Sequence, residues 1–296
     1  MHRESRFAPL LLIVCVMTLI PRPSGTVAAA TPRAQAAQQT ATPADTLHRP
    51  LDQILDVNVR DGLVYYRALK SERGRLDRYA ASLNVPEATY DSWPREHQMA
   101  FWLNAYDTFV LQTVLDRYPI RGTSTKYPAN SIRQIPGAFE TIRHRAAGRN
   151  VTLDDIEKTI LPAFKEPRLY LALGRGAIGS GRLRSEAYSG GQLMQQLEEI
   201  QREFVSEQTM LKIDRATGQV SLTPILSWHD AEFVAAYDKG PDGPFAQRSP
   251  IERAAVAFIT PYLLPLEKEL IQKNQFAVTY HPFDWRLNDL TGGRPE

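Results

Sequence analysis

Between Pro94 and Pro119 runs the segment EHQMAFWLNAYDTFVLQTVLDRY, which holds neither glycine nor proline. Phe101, Ala105, Phe109 and Val110 recur at helical spacing, and Trp102, Tyr106 and Phe109 cover an adjoining stripe. The prolines bound the segment because proline suits a helix start and the residue before a proline resists the helical conformation. This predicts a core helix. Asn104 and Tyr106 sit within its apolar stripe. A buried amide must find hydrogen-bond partners, so Asn104 either ties the helix to a loop backbone or meets a ligand.

The rest of the chain is organised around this helix. Asp61-Gly62 between alternating apolar residues marks a hairpin. ALKSERGRLDRYAASL reads as one amphipathic helix that ends before Pro86. A second hairpin turns at Gly148, and Thr152 with Asp155 forms a near capping box that opens DDIEKTILPAF. RLYLAL reads as a buried strand and GGQLMQQLEEIQREFV as a helix. MLKIDRATGQVSLTPIL reads as two strands around a Thr-Gly turn. Short helices follow around LSWHDAEFVAAY, IERAAVAFIT and LLPLEKELIQ, and QFAVTYHP is a closing strand. The expectation is one α+β domain over residues 51–290, helix-rich with a small, mostly antiparallel sheet, followed by a tail over 291–296.

The N-terminus has a different character. A short basic start precedes the apolar run FAPLLLIVCVMTLIP, about 15 residues long, which is short for a membrane span of ~20 residues. Ala28-Ala29-Ala30 follow, as in a cleavable secretory signal over residues 1–30. Cys15 is the single cysteine, and Val14 before it does not suit a lipoprotein signal. The expectation is export to the periplasm or medium with no stable membrane anchor and no thiol or disulfide in the mature protein. Residues 31–50, rich in Ala, Gln, Thr and Pro, read as a disordered linker. The first 30 residues hold three arginines and one acid, so removing them from 35 basic and 33 acidic residues leaves 32 of each. A neutral mature chain offers no bulk electrostatic case for nucleic acid.

The segment GRGAIGSGRLRSEAYSGG contains Gly174, Gly176 and Gly179 in the dinucleotide spacing, but no helix opens on it and no cofactor is expected. Its backbone N–H groups and Arg175, Arg182 and Arg184 suit an anion. The alternative is that these arginines pair with acids of the same domain, such as Asp154, Asp155, Glu157 or Asp284. Ser180 lacks the flanking glycine of a hydrolase elbow but remains a candidate nucleophile. No histidine pair has metal-ligand spacing, so no metal site is expected. His229 beside Asp230, and His281 near Asp284, are the candidate acid/base pairs, with His229 and Asp284 the candidate catalytic members.

Five segments together resemble one family: GLVYYRALK, MAFWLNAYDTFVLQTVLDRYP, VTLDDIEKTIL, VSLTPILSWHDAEF and VTYHPFDWRLN. Their order and spacing are similar to those of the domain of unknown function 547. FWLNAYD resembles its signature helix and Tyr280–Asn288 its closing strand. The resemblance implies a papain- or transglutaminase-like fold. Many relatives carry PRIHFALNCASLGCPPLRPEAY where this chain has PRLYLALGRGAIGSGRLRSEAY. The two cysteine positions then hold Arg175 and Ser180, the histidine position holds Tyr170, and the acid-histidine pair after LDDI is Glu157-Lys158. A cysteine-histidine chemistry would lack both parts here. The expectation is a non-catalytic module that binds a small anionic or peptide-like envelope ligand through Arg175, Arg182, Arg184, Asn104 and Tyr106. A hydrolase or acyl-transferase without a thiol, and a structural or partner-binding domain, are the alternatives. Arg175 is expected to point inward, toward Asp284 or Glu157.

Overall fold

A computed structural model describes residues 42–291. The expected secretory signal and its cleavage region fall outside these residues, as do the first part of the expected linker and residues 292–296.

Helix α1 (Pro43–Asn58) begins inside the stretch expected to be linker. Thr42 caps it by accepting the Asp45 N–H, and Pro43 occupies the first turn, where a missing N–H leaves nothing unpaired. Composition hid this helix because its buried face is made partly of small or polar residues: Ala44 and His48 precede Leu51 and Leu55. Asp45 fastens it to the rest of the molecule, accepting from Ser189 Oγ and the Gly190 N–H, both at 2.9 Å.

Strands β1 (Val59–Arg60) and β2 (Leu63–Val64) pair antiparallel across Asp61 and Gly62. Both turn residues have positive φ, which matches the twist of a two-residue hairpin. The amphipathic segment that follows forms two helices, α2 (Tyr66–Ser71) and α3 (Arg73–Ser82), because Glu72 leaves the helical conformation. After α4 (Glu87–Asp91) comes α5 (Arg95–Arg117), the expected core helix. Every residue from Met99 to Leu111 is buried, so α5 is covered all round by α1, α3, α7 and α8.

Strands β3 (His144–Ala146) and β4 (Arg149–Val151) form the second hairpin, which turns at Ala147-Gly148. Thr152 and Asp155 complete a full capping box at α6 (Leu153–Asp155). The helix then widens into a π turn over Ile156–Ile160 and tightens over Leu161–Phe164. RLYLAL is not a strand: it forms the short helix α7 (Arg168–Ala172). Leu169 to Leu173 are buried on every side, and a wholly buried run carries no periodicity to separate helix from strand.

Helix α8 (Leu193–Ser206) precedes β5 (Leu211–Asp214) and β6 (Gln219–Leu222), which pair antiparallel. Helices α9 (Ile225–Trp228) and α10 (Asp230–Tyr237) are separated at His229, and α11 (Pro250–Ile259) and α12 (Pro265–Gln272) follow. Strand β7 (Ala277–Tyr280) returns parallel to β6. The closing segment then reaches back to β2, where the Val64 N–H donates to Asn288 O at 2.8 Å. The result is a helix-rich α+β domain whose small strands pair mostly antiparallel. Among the described residues, no helix is long and apolar enough to cross a membrane.

Candidate ligand cleft above a buried ion pair

The π turn after α6 sets the site. Widened turns of this kind re-aim side chains, and here the turn carries Glu157 into the interior, 6% exposed. From the other side α7 ends at Leu173, which is extended, and the chain crosses α5. The Gly174 N–H donates to Asp107 Oδ1 at 2.8 Å, and the Arg175 N–H donates to Ser180 Oγ at 3.0 Å. These contacts turn Arg175 inward until it is 1% exposed.

Arg175 meets Glu157 as expected. Its Nη2 and Nε donate to Glu157 Oε1 at 2.6 and 3.2 Å, and Nη1 donates to Tyr170 O at 3.0 Å. His229 Nε2 lies 3.0 Å from the same Oε1, and the Tyr106 hydroxyl donates to Oε2 at 3.0 Å. Burial by itself would raise the Glu157 pKa. Arg175 and the hydrogen bond from His229 outweigh it and hold the carboxyl well below the ordinary range. An ionised Glu157 only accepts, so His229 Nε2 carries a hydrogen. The Tyr170 ring lies flat on the His229 ring, centroids 3.6 Å apart and planes within 7°. Both carboxylate oxygens are therefore occupied by protein donors, as a buried charge requires.

The remaining anticipated residues do not converge here. Arg182 pairs with Asp61 at 2.8 Å in the first hairpin turn, and Arg184 pairs with Glu186 and Glu199, both at 2.7 Å. Asp284 pairs with Arg286 rather than Arg175, at 2.5 Å. Asn104 spends its amide on the main chain of Tyr188, donating at 2.8 Å and accepting at 2.9 Å, so it ties α5 to a loop. Tyr106 holds Glu157 from within the core. Ser180 Oγ accepts from Arg175, and among the described residues no base lies within hydrogen-bond distance of it. His229 pairs with Glu157 rather than Asp230, and His281 Nε2 meets Thr209 O at 2.9 Å.

The glycine-rich loop spends much of its backbone on the protein itself. The Ile178 and Gly179 N–H groups donate to Arg286 O and Asp284 O, both at 2.9 Å. A Cβ on Gly181 would sit 1.7 Å from Leu171 O, and one on Gly179 would sit 2.7 Å from the Asp284 nitrogen. These glycines serve close packing of backbone against backbone.

Above the ion pair opens a cleft of about 390 Å³, within the size range of ligand sites. Trp228 and Trp285 form one wall, with Phe139 beside them, and Arg133, Asp154, Lys158 and Glu232 complete it. The Arg133 guanidinium lies over both Phe139 and Trp285, 4.2 and 4.7 Å from their centroids. Trp228 is 44% exposed, and its ring lies 5.9 Å from the Arg175 guanidinium. Sequence reasoning missed Arg133, Trp228 and Glu232. They come from separate elements, and no spacing links them. Among the described residues, no group of three or more His, Cys, Asp or Glu side chains is placed to hold a metal ion.

Residues 90–205 match the family model described as a protein of unknown function, DUF547. The match supports assigning this segment of the chain to the DUF547 family. The match includes α5, the π turn and the glycine-rich loop, and so both halves of the buried ion pair. Trp228, His229, Glu232 and Trp285 lie beyond the matched segment, so the upper part of the cleft is built from outside it. No curated protein and no solved structure matches the chain.

Proposed function

We propose that this protein is an exported, non-catalytic module that binds a polar envelope ligand in the cleft above Glu157, Arg175 and His229. The observation that carries this reading is the combination of a half-exposed Trp228 in an open cleft with a floor whose carboxylate is satisfied by the protein. Where many relatives have a cysteine, Arg175 fills the floor and is held by Glu157 and the Tyr170 carbonyl. Ser180 has a hydroxyl but, among the described residues, no base within hydrogen-bond distance to activate it.

The cleft's charges refine the expected ligand. Arg133, Lys158 and Arg175 face Asp154, Glu157 and Glu232, so the lining is balanced. Each cation also has its own carboxylate: Arg133 with Glu140 at 2.5 Å, Lys158 with Asp154 at 2.6 Å and Arg175 with Glu157 at 2.6 Å. A strongly anionic ligand would have to displace these partners. A polar ligand with an apolar face would not.

The test is a titration followed by intrinsic tryptophan fluorescence, using neutral oligosaccharides, short acidic peptides and inorganic phosphate. Chromogenic ester and amide substrates are assayed in parallel. The expected result is a saturable change with one class of probe, lost in Trp228→Ala, and no turnover. Hydrolysis that disappears in His229→Gln would replace this reading with the hydrolase one. Export is checked by intact-mass analysis of the native protein, which should begin between Thr31 and Ala37. Full-length protein in the cytosol would exclude cleavage.

A further inference from the structure

The character of the cleft walls narrows the ligand class, on the reading that the cleft is a binding site. Trp228 and Trp285 line it with ring planes within 18° of each other and centroids 6.3 Å apart, so both indoles present faces of similar orientation. Trp228 leaves its indole 44% exposed inside a concave cleft beside a second indole and polar groups, a combination found in ligand sites. The polar groups around it are mixed. Glu232 accepts only a long hydrogen bond from the Tyr170 hydroxyl, 3.4 Å, which leaves most of its acceptor capacity open. The Lys158 ammonium has three donors, and Asp154 is the one ion-pair partner the structure gives it.

A peptide added as a strand would need an open strand edge, and none of the lining residues belongs to a strand. A free anion would compete with the carboxylates that Arg133, Lys158 and Arg175 already hold. A neutral sugar ring needs neither. One face of a pyranose presents C–H groups that pack on an aromatic surface, and its hydroxyls both donate and accept around the rim.

We propose that the cleft binds a neutral pyranose unit of a glycan, stacked on Trp228 with hydroxyls hydrogen-bonded to Glu232 and Lys158. The experiment is fluorescence titration of the protein with cellotetraose, chitotetraose and maltotetraose, beside an acidic peptide and inorganic phosphate. At least one tetrasaccharide should give a saturable shift. Trp228→Phe should keep most of the affinity, while Trp228→Ala and Glu232→Gln should each weaken it about tenfold, with unchanged melting temperatures. A saturable response to the acidic peptide or to phosphate in place of the sugars would overturn the sugar assignment and leave the ligand-binding reading standing. A sugar response that survives Trp228→Ala would place the sugar elsewhere and overturn the assignment to this cleft. Silence from every probe would overturn both.

Discussion

Arg175 and Arg182 leave the same glycine-rich loop and end in opposite environments. The Arg175–Glu157 pair is almost wholly enclosed, with side chains 2% and 8% exposed, whereas those of Arg182 and Asp61 are 43% and 89% exposed. The two pairs have similar contact distances, 2.6 and 2.8 Å, so distance does not separate them. Solvent does. Water screens the Arg182 pair and can replace either partner, so its net contribution is small. The Arg175 pair has lost its water, and removing one member strands a charge in the interior. An arginine in a loop motif therefore says little about a site until its surroundings are known.

The largest expected effect is at Arg175. Replacing it with Ala should cost about 3–5 kcal/mol in denaturant unfolding, because Glu157 keeps its burial and loses its strongest donor. The double change Arg175→Met with Glu157→Leu should recover most of that loss. If Arg175→Ala proved as mild as the same change at Arg182, burial would not be what distinguishes the two pairs.

Asn104→Ala tests a buried polar contact without charge. It orphans both the N–H and the carbonyl of Tyr188, so stability should fall by about 1–3 kcal/mol. A melting curve identical to wild type would mean that water reaches the loop.

Two histidines extend the comparison to pH. Burial lowers the pKa of both His48 and His144 to about 4. Between the ordinary value of about 6.5 and about 4 the unfolded chain binds more protons than the folded one, so stability rises with pH across that window. The contribution is complete above about 6.5 and is lost as the pH falls through about 4. His48→Gln should flatten part of this dependence in urea melts taken across the range. An unchanged slope would mean that His48 titrates alike in both states.

The smallest expected effect is at Arg182. Its change to Ala should alter stability by no more than about 0.5 kcal/mol, and the shift should shrink further at high salt. A loss as large as that at Arg175 would break the comparison from the other side.

Local chemistry made much of the fold legible. The prolines around α5, the Asp61-Gly62 and Gly148 turns, and the Thr152–Asp155 box each act within a few residues, and each appears where the spacing put it. The errors arose where burial was the deciding influence. RLYLAL is enclosed on all sides and so shows no period, and α1 is held by contacts of Asp45 with residues far along the chain.

The candidate site divides along the same line. Arg175 stood out because the family resemblance implies a cysteine at its position, and its pairing with an acid follows from the cost of burying a guanidinium. The sequence by itself determined that the only thiol lies in the N-terminal apolar run, that the charges without the first 30 residues balance, and that a buried arginine would need a carboxylate. Only the tertiary structure decided that this carboxylate is Glu157 and not Asp284, that Arg182 and Arg184 face away, and that Trp228, Glu232 and Trp285 meet Arg133 around one cleft. The physical reason is range: caps, turns and helix periods act over a few residues, whereas desolvation and the meeting of distant side chains exist only once the chain has closed on itself.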